Sequence, residues 1–235
     1  HFIIFNSSKT FAEIDNLFKE QNIQFPIICE TGGGVYLPKN LELTPYTNAY
    51  NIVYEASKLS KIREDIDEIC EDFREEIQFF DELSHDMQVK LSSLEPAGLI
   101  LASKRVFSML FIWRSTEERL MILSNLLKKI NIKIIRGARF FHICSDFDKG
   151  TSMLKLIDEF KHMYPEKEFI SIAIGDSSND MAMLKLADYP CVVKSTGNKK
   201  LSFSELSNDL IISKNEAPKG WLECVENVFS KIGVS

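Results

Sequence analysis

The sequence contains no long apolar segment and few of the residues that build metal or redox motifs. No run of about 18 or more apolar residues occurs, so no membrane-spanning helix is predicted. The 5 cysteines form no CxxC pair and there are only 4 histidines, which argues against a structural zinc site. Scattered cysteines in odd number are typical of reduced, buried thiols, and they favour a cytoplasmic protein.

The chain also lacks an excess of positive charge. Its net charge of -6 argues against nucleic acid as the main partner, because phosphate backbones select basic surfaces. A small anion held in a local basic pocket stays compatible with this charge. A length of 235 residues suits one large domain or two smaller ones, and the sequence gives no indication of oligomeric state.

Both ends of the chain show the alternation of strand and helix that is typical of a parallel α/β sheet. Residues 1–5 and 25–29 are short apolar runs predicted to be strands, with a helical period between them. A similar pattern resumes later, with a buried strand predicted at residues 169–174. The sequence therefore predicts one discontinuous core domain made of residues 1–46 and 145–235.

The middle of the chain, residues 47–144, has a different character. A charged amphipathic helix is predicted around residues 59–73, and a helix-capping sequence occurs at residues 115–118. Two strand candidates follow at residues 132–135 and 140–144. The strands and helices of this region suggest an antiparallel sheet, so the arrangement predicts an α+β domain inserted into the core.

Three polar side chains follow the predicted strand at residues 169–174. Gly175 allows a tight turn, and Asp176, Asn179 and Asp180 come directly after it. Polar groups at the carboxyl end of a buried parallel strand point into the crevice where open α/β sheets bind ligands. Capping of a helix explains one of these acids but not all three groups. The pattern predicts a magnesium site, since Mg²⁺ prefers oxygen ligands.

Two weaker signals follow other predicted strands. Lys149 begins a helix, where its charge opposes the helix dipole unless an anion lies in front of it. Ser7 and Ser8 follow the first strand and can hold an anion through hydroxyl and backbone N–H groups. Alone, a surface lysine and simple capping explain them. Together with the acids, they are the groups needed to hold a phosphoryl group, so all are expected in one crevice.

In this order the motifs resemble motifs two, three and four of the haloacid-dehalogenase (HAD) phosphatases. The inserted α+β domain is similar to the cap of their Cof-like branch. Within that branch the sequence is most similar to the mannosyl-3-phosphoglycerate phosphatases. The matching segments span nearly the whole chain: Ser8-Lys9-Thr10, Glu30 with Gly32-Gly33, Arg105-Val106-Phe107-Ser108, residues 136–142, Asp148-Lys149-Gly150, residues 175–180, and Ala217-Pro218 with Gly220-Trp221.

The resemblance implies a HAD-like Rossmannoid parallel-sheet core with a cap. It also implies Mg²⁺-dependent hydrolysis of a phosphorylated sugar, favouring mannosyl-3-phosphoglycerate, through an aspartyl-phosphate intermediate. The glycerate carboxylate of such a substrate suits arginine side chains, although each arginine could equally form a surface ion pair. The implied site residues are Ser7, Lys149 and Asp180 for catalysis; Ser8, Lys9, Arg105, Ser108 and Arg139 for substrate; and Asp176 and Asn179 for metal.

Two departures from the family pattern bear on function. The family begins with a strand ending in DxDGT, whose first Asp attacks phosphorus; no such motif precedes His1, so that core strand is expected upstream. After Arg105 the family usually has an acid, then Ser-Glu-Pro, whereas here Val106 replaces the acid and Met109 follows Ser108. Three alternatives stay open: a glucosyl-3-phosphoglycerate phosphatase, another sugar-phosphate phosphatase, and a non-catalytic HAD-like sugar-phosphate binder.

Overall fold

The chain divides by its internal contacts into two compact units, His1–Phe147 and Asp148–Ser235. The predicted grouping of residues 1–46 with 145–235 as one core, with 47–144 as the cap, stays a prediction. No helix in the part described is long and apolar enough to cross a membrane. The computed structural model describes residues 1–41, 45–61, 63–137, 139–195, 206 and 209–233.

Both units contain β-strands and α-helices. The strands of the first unit are β1 (Phe5–Asn6), β2 (Ile27–Cys29), β3 (Gly34–Pro38), β4 (Tyr50–Glu55), β5 (Ile77–Phe79), β6 (Ser108–Trp113), β7 (Ile132–Arg136) and β8 (Phe141–Ser145). Its helices are α1 (Phe11–Gln21), α2 (Arg63–Glu71), α3 (His85–Ser92), α4 (Pro96–Ala102) and α5 (Glu117–Lys128). The second unit contains α6 (Lys149–Met163), β9 (Ile172–Gly175), α7 (Met181–Leu186), β10 (Tyr189–Lys194), β11 (Ile211–Glu216) and α8 (Lys219–Ile232).

The first sheet has the strand order β1-β2-β3-β4. Strands β1 and β2 pair in parallel and α1 connects them, which confirms the βαβ unit predicted there. The predicted strand at residues 1–5 is corrected to Phe5–Asn6, because only these residues are in register with the short strand β2. Strand β4 pairs antiparallel with β3, so this sheet extends past residue 46 to Glu55.

Helix α1 is fixed at its start by a capping box. The Thr10 hydroxyl accepts from the Glu13 N–H at 3.1 Å, and the Glu13 carboxylate accepts from the Thr10 N–H at 2.8 Å. Ile14 and Phe18 then lie one turn apart and are buried beneath the helix. Their packing with β2 residues fixes the loop between β1 and α1, where the predicted serines lie.

A second sheet in the first unit has the order β5-β6-β8-β7 and is antiparallel throughout. Helices α2 and α5 contribute to its core, in which Phe79, Phe111 and Leu123 are fully buried. The antiparallel strands predicted in the middle of the chain are confirmed. Helix α5 is capped by Thr116, whose hydroxyl accepts from the Arg119 N–H.

The second unit contains a parallel sheet with the order β11-β10-β9. Its core contains Cys191, Val193 and Cys224, so helix α8 packs against β10. Strand β9 begins at Ile172 rather than at residue 169, because Ile172 is the residue in register with the start of β10. The carboxyl ends of all three strands therefore lie at one edge of the sheet.

Gly150 lies where helices α6 and α7 meet. A Cβ at this position would lie 2.4 Å from the Ala182 carbonyl oxygen. We expect Gly150→Ala to lower the free energy of unfolding by about 1–3 kcal/mol, because the two backbones must separate. Gly98→Ala is the matched control, since its nearest neighbours would lie at 3.7 Å in helix α4. Circular dichroism during urea unfolding measures both; an unchanged midpoint for Gly150→Ala would contradict the prediction.

Candidate active site

The loop after β9 is folded around the carboxylate of Asp180. One oxygen of this carboxylate, Oδ2, accepts from the N–H groups of Asp176 and Ser177 at 3.0 Å each. It also accepts from the Ser177 hydroxyl at 2.9 Å. A Cβ on Gly175 would lie 2.5 Å from the Cβ of Asp180, so glycine is required for this close approach. The predicted acids are thus held in a rigid turn at the carboxyl end of β9.

Lys149 and Asp180 form a buried ion pair. The Lys149 Nζ donates to Asp180 Oδ1 at 2.5 Å, and the two side chains are 7% and 6% exposed. Lys149 is the first residue of α6, and the Asp148 side chain caps this helix by accepting from Gly150 and Thr151 N–H groups. The conflict of Lys149 with the helix dipole is therefore offset by protein carboxylates before any ligand binds.

A cleft of about 430 Å³ opens at the carboxyl ends of β9, β10 and β11. Its lining includes Asp176, Lys194, Ser195, Glu216, Ala217 and Trp221. The sequence patterns gave no functional prediction for three of these residues: Lys194, Glu216 and Trp221, of which Trp221 is 45% exposed. Lys194 and Glu216 are the last residues of parallel strands, and Asp176 directly follows another. The expectation that ligands bind at the carboxyl ends of parallel strands, which pointed to Asp176, therefore applies to these two residues as well.

The surroundings of Asp176 disfavour the negative charge of its carboxylate. Partial burial raises the pKa of this carboxyl, and the negative charge of Asp180 raises it further, whereas Lys149 lowers it. The ionised form is thus disfavoured in the folded protein. A cation at Asp176 would reverse this by supplying positive charge next to the carboxylate.

The predicted anion cradle in the first unit lies between β1 and α1. The Lys9 N–H donates to the Ser7 hydroxyl at 3.2 Å, and the Thr31 N–H donates to the Ser7 carbonyl at 2.9 Å. The Lys9 ammonium forms an ion pair with Glu13 at 2.9 Å. The placement of Ser7 in one crevice with Lys149 and Asp176 stays a prediction.

Glu30 has a role that the sequence did not reveal. It follows β2 and its carboxylate is buried, with 1% of the residue exposed. It accepts from the N–H groups of Val106 and Phe107 at 2.9 and 3.0 Å. It also accepts from the Ser108 hydroxyl at 2.8 Å. One carboxylate thereby fixes the segment that leads into strand β6.

The predicted substrate residues of the first unit differ in their surroundings. Arg105 donates from Nη1 to the Ser108 hydroxyl at 2.9 Å and from Nη2 to the Ser8 carbonyl at 3.1 Å. Ser108 is buried, and its hydroxyl is shared between Arg105 and a carboxylate. Arg139 is exposed and donates to the Ser92 carbonyl. The structure therefore brings Arg105, Ser108 and Ser8 together in one network, separate from the contact of Arg139.

Comparison with known proteins decides the family. A family model for haloacid dehalogenase-like hydrolases matches residues 1–216. The chain belongs to this family. The HAD-like fold and the resemblance predicted from the sequence are thus confirmed.

Relatives of the HAD chain cover most of its length. The glucosyl-3-phosphoglycerate/mannosyl-3-phosphoglycerate phosphatase of Methanococcoides burtonii is 26% identical over 234 residues, covering 97% of this chain and 85% of that protein. The mannosyl-3-phosphoglycerate phosphatase of Pyrococcus horikoshii is 28% identical over 206 residues, covering 84% and 79%. The sucrose-phosphatase structure from Synechocystis shares the fold, with a TM-score of 0.64, 13% identity and coverage of 96% of this chain and 81% of that chain.

HAD phosphatases generally use a divalent metal ion, and the described residues fit one kind of site. No cluster of three or more His, Cys, Asp or Glu side chains that could hold a metal occurs among them. Asp180 is engaged by Lys149 and the loop, and Asn179 Oδ1 accepts from the Ser177 hydroxyl. A cation that needs one carboxylate, with water and substrate oxygens completing its shell, fits Asp176. A metal site that needs several protein ligands does not fit the described residues.

Proposed function

We propose that this HAD protein is a Mg²⁺-dependent phosphatase that hydrolyses the phosphate monoester of mannosyl-3-phosphoglycerate. The observation that carries the proposal is the Lys149–Asp180 ion pair beside Asp176, at the carboxyl ends of parallel strands. A fixed cation beside an acid able to hold a metal suits a reaction in which a phosphoryl group carries negative charge. The relatives that cover most of the chain are named as phosphatases of glycosylated 3-phosphoglycerates.

Each proposed catalytic group has one task. Lys149, oriented by Asp180, would offset charge on the oxygens of the transferring phosphoryl group. Bound Mg²⁺, held by Asp176, would supply Lewis-acid polarisation of that group. Ser7 would donate a hydrogen bond to it, and Asn179 would help to orient the metal shell. The reaction consumes one water and releases phosphate and an alcohol.

The non-transferred part of the substrate is proposed to meet residues of the first unit. Arg105 would bind the glycerate carboxylate, because a guanidinium presents paired N–H donors that match a carboxylate. Ser108 would act by fixing Arg105, since its own hydroxyl is already shared within the protein. Ser8, Lys9 and Arg139 are the remaining proposed substrate contacts.

Phosphate release from the purified gene product tests this function. We expect Mg²⁺-dependent release, with the highest kcat/KM for mannosyl-3-phosphoglycerate among three substrates, the others being its glucosyl analogue and a hexose 6-phosphate. Chelation should abolish release, and added Mg²⁺ should restore it. A preference for either other substrate would assign the alternative phosphatase activities. Binding of the substrates without phosphate release would instead identify a non-catalytic binder.

A further inference from the structure

Glu30 is a buried carboxylate joined to a segment far away in the sequence. Its three donors belong to residues 106–108, and 76 to 78 residues separate them from Glu30 along the chain. Its backbone has φ of 47°, and the next residue, Thr31, has φ of 63°, a region that L-residues with side chains rarely adopt. A strained backbone around a buried charge persists only where the surrounding contacts hold it.

The contacts of Glu30 lead to Arg105 through one hydroxyl. The Ser108 hydroxyl donates to Glu30 and accepts from Arg105 Nη1, so the three groups form a continuous chain. A second contact, from Nη2 to the Ser8 carbonyl, fixes the plane of the guanidinium. The two contacts use two of the five N–H donors of the group. Arg105 is half-buried, and its buried Nε has no hydrogen-bond partner among the described residues, so this donor is left for a bound anion.

We propose that Glu30 is the positioning residue for an anion subsite at Arg105: it holds residues 106–108 and, through Ser108, orients the guanidinium. The inference rests on the proposed function, and it adds a residue that determines recognition of the substrate carboxylate. The charge of Glu30 also acts on the protonation of Arg105. Burial lowers the pKa of Arg105, and the charge of Glu30 opposes that effect and favours the charged guanidinium.

Glu30→Gln tests this assignment, because glutamine keeps the size of the side chain and removes its charge. We expect KM for mannosyl-3-phosphoglycerate to rise about 10- to 100-fold, the range set by hydrogen bonds to charged groups. The kcat/KM for p-nitrophenyl phosphate, which has no carboxylate, should change less than about threefold. Glu55→Gln is the matched control, since Glu55 ends β4, which belongs to the sheet whose strand β2 precedes Glu30, and it accepts from the Tyr36 hydroxyl. The kinetic constants for both substrates should be unchanged in this variant.

A binding measurement separates this inference from the proposed function. Calorimetric titration of 3-phosphoglycerate into the full protein should give about tenfold weaker binding for Glu30→Gln than for wild type or Glu55→Gln. Glu30-dependent binding without hydrolysis by wild type would remove the proposed function and leave the subsite standing. An equal fall in kcat/KM for mannosyl-3-phosphoglycerate and p-nitrophenyl phosphate in Glu30→Gln would overturn the inference. Unchanged binding of 3-phosphoglycerate by this variant would overturn it as well. If Glu30→Gln does not fold, Ser108→Ala breaks the same chain at the hydroxyl and should show the same selectivity.

Discussion

Lys149→Met is expected to lower the kcat for phosphate release by about 100-fold or more and also to destabilise the protein. Loss of one electrostatic group that stabilises the transition state typically costs about 10²–10³ in kcat. The folding loss arises because the buried Asp180 carboxylate keeps its charge and loses its cation, which costs about 3–5 kcal/mol. The buried ion pair adds the effect on stability.

Two further variants separate these effects. The double variant Lys149→Met/Asp180→Asn removes both charges, so it should recover part of the lost stability without recovering turnover. Lys161→Met changes an exposed lysine of the same helix and should alter the free energy of unfolding by less than about 0.5 kcal/mol. Urea unfolding and kcat at saturating substrate measure both properties. Near-normal turnover in Lys149→Met would contradict the proposed role of the ammonium.

Asp176→Asn is expected to abolish Mg²⁺-dependent turnover while stabilising the metal-free protein at neutral pH. The pKa of Asp176 is raised in the folded state, so the folded protein binds this proton more tightly than the unfolded chain does. The contribution of this group to stability is therefore lost as pH rises from the ordinary Asp pKa through the raised one. Asparagine carries no such proton, so the advantage of the variant should grow across that window.

Thermal unfolding checks this second prediction. In metal-free buffer, the Tm of Asp176→Asn minus that of wild type should increase from acidic to neutral pH. Added Mg²⁺ should raise the Tm of wild type only, because a ligand stabilises the state that binds it. Asp158→Asn removes an exposed carboxylate of the second unit and should show neither effect. An equal Mg²⁺ effect on Asp176→Asn and wild type would place the metal elsewhere.

Sequence patterns predicted those parts of the site that are built by neighbouring residues. The turn at Gly175, the acid after it and Asp180 lie within six positions, so strand, turn and acids are visible as one motif. The βαβ start of the chain and the antiparallel middle were predicted in the same way, from hydrophobic periods. The errors lie at the limits of strands, as at β1 and β9. A strand extends only as far as its paired neighbour does, whereas the apolar run that predicted it can be longer.

The sequence by itself determined the HAD family, the alternation of strands and helices, and Asp176 as the acid at a strand end, because these depend on local order and spacing. Only the tertiary structure decided that Asp180 is paired with Lys149, that β4 extends the first sheet, and that Glu30 holds the segment before β6. The physical reason is the cost of burying charge and backbone polar groups. Each must find a partner, and that partner is fixed by packing between residues distant in the chain.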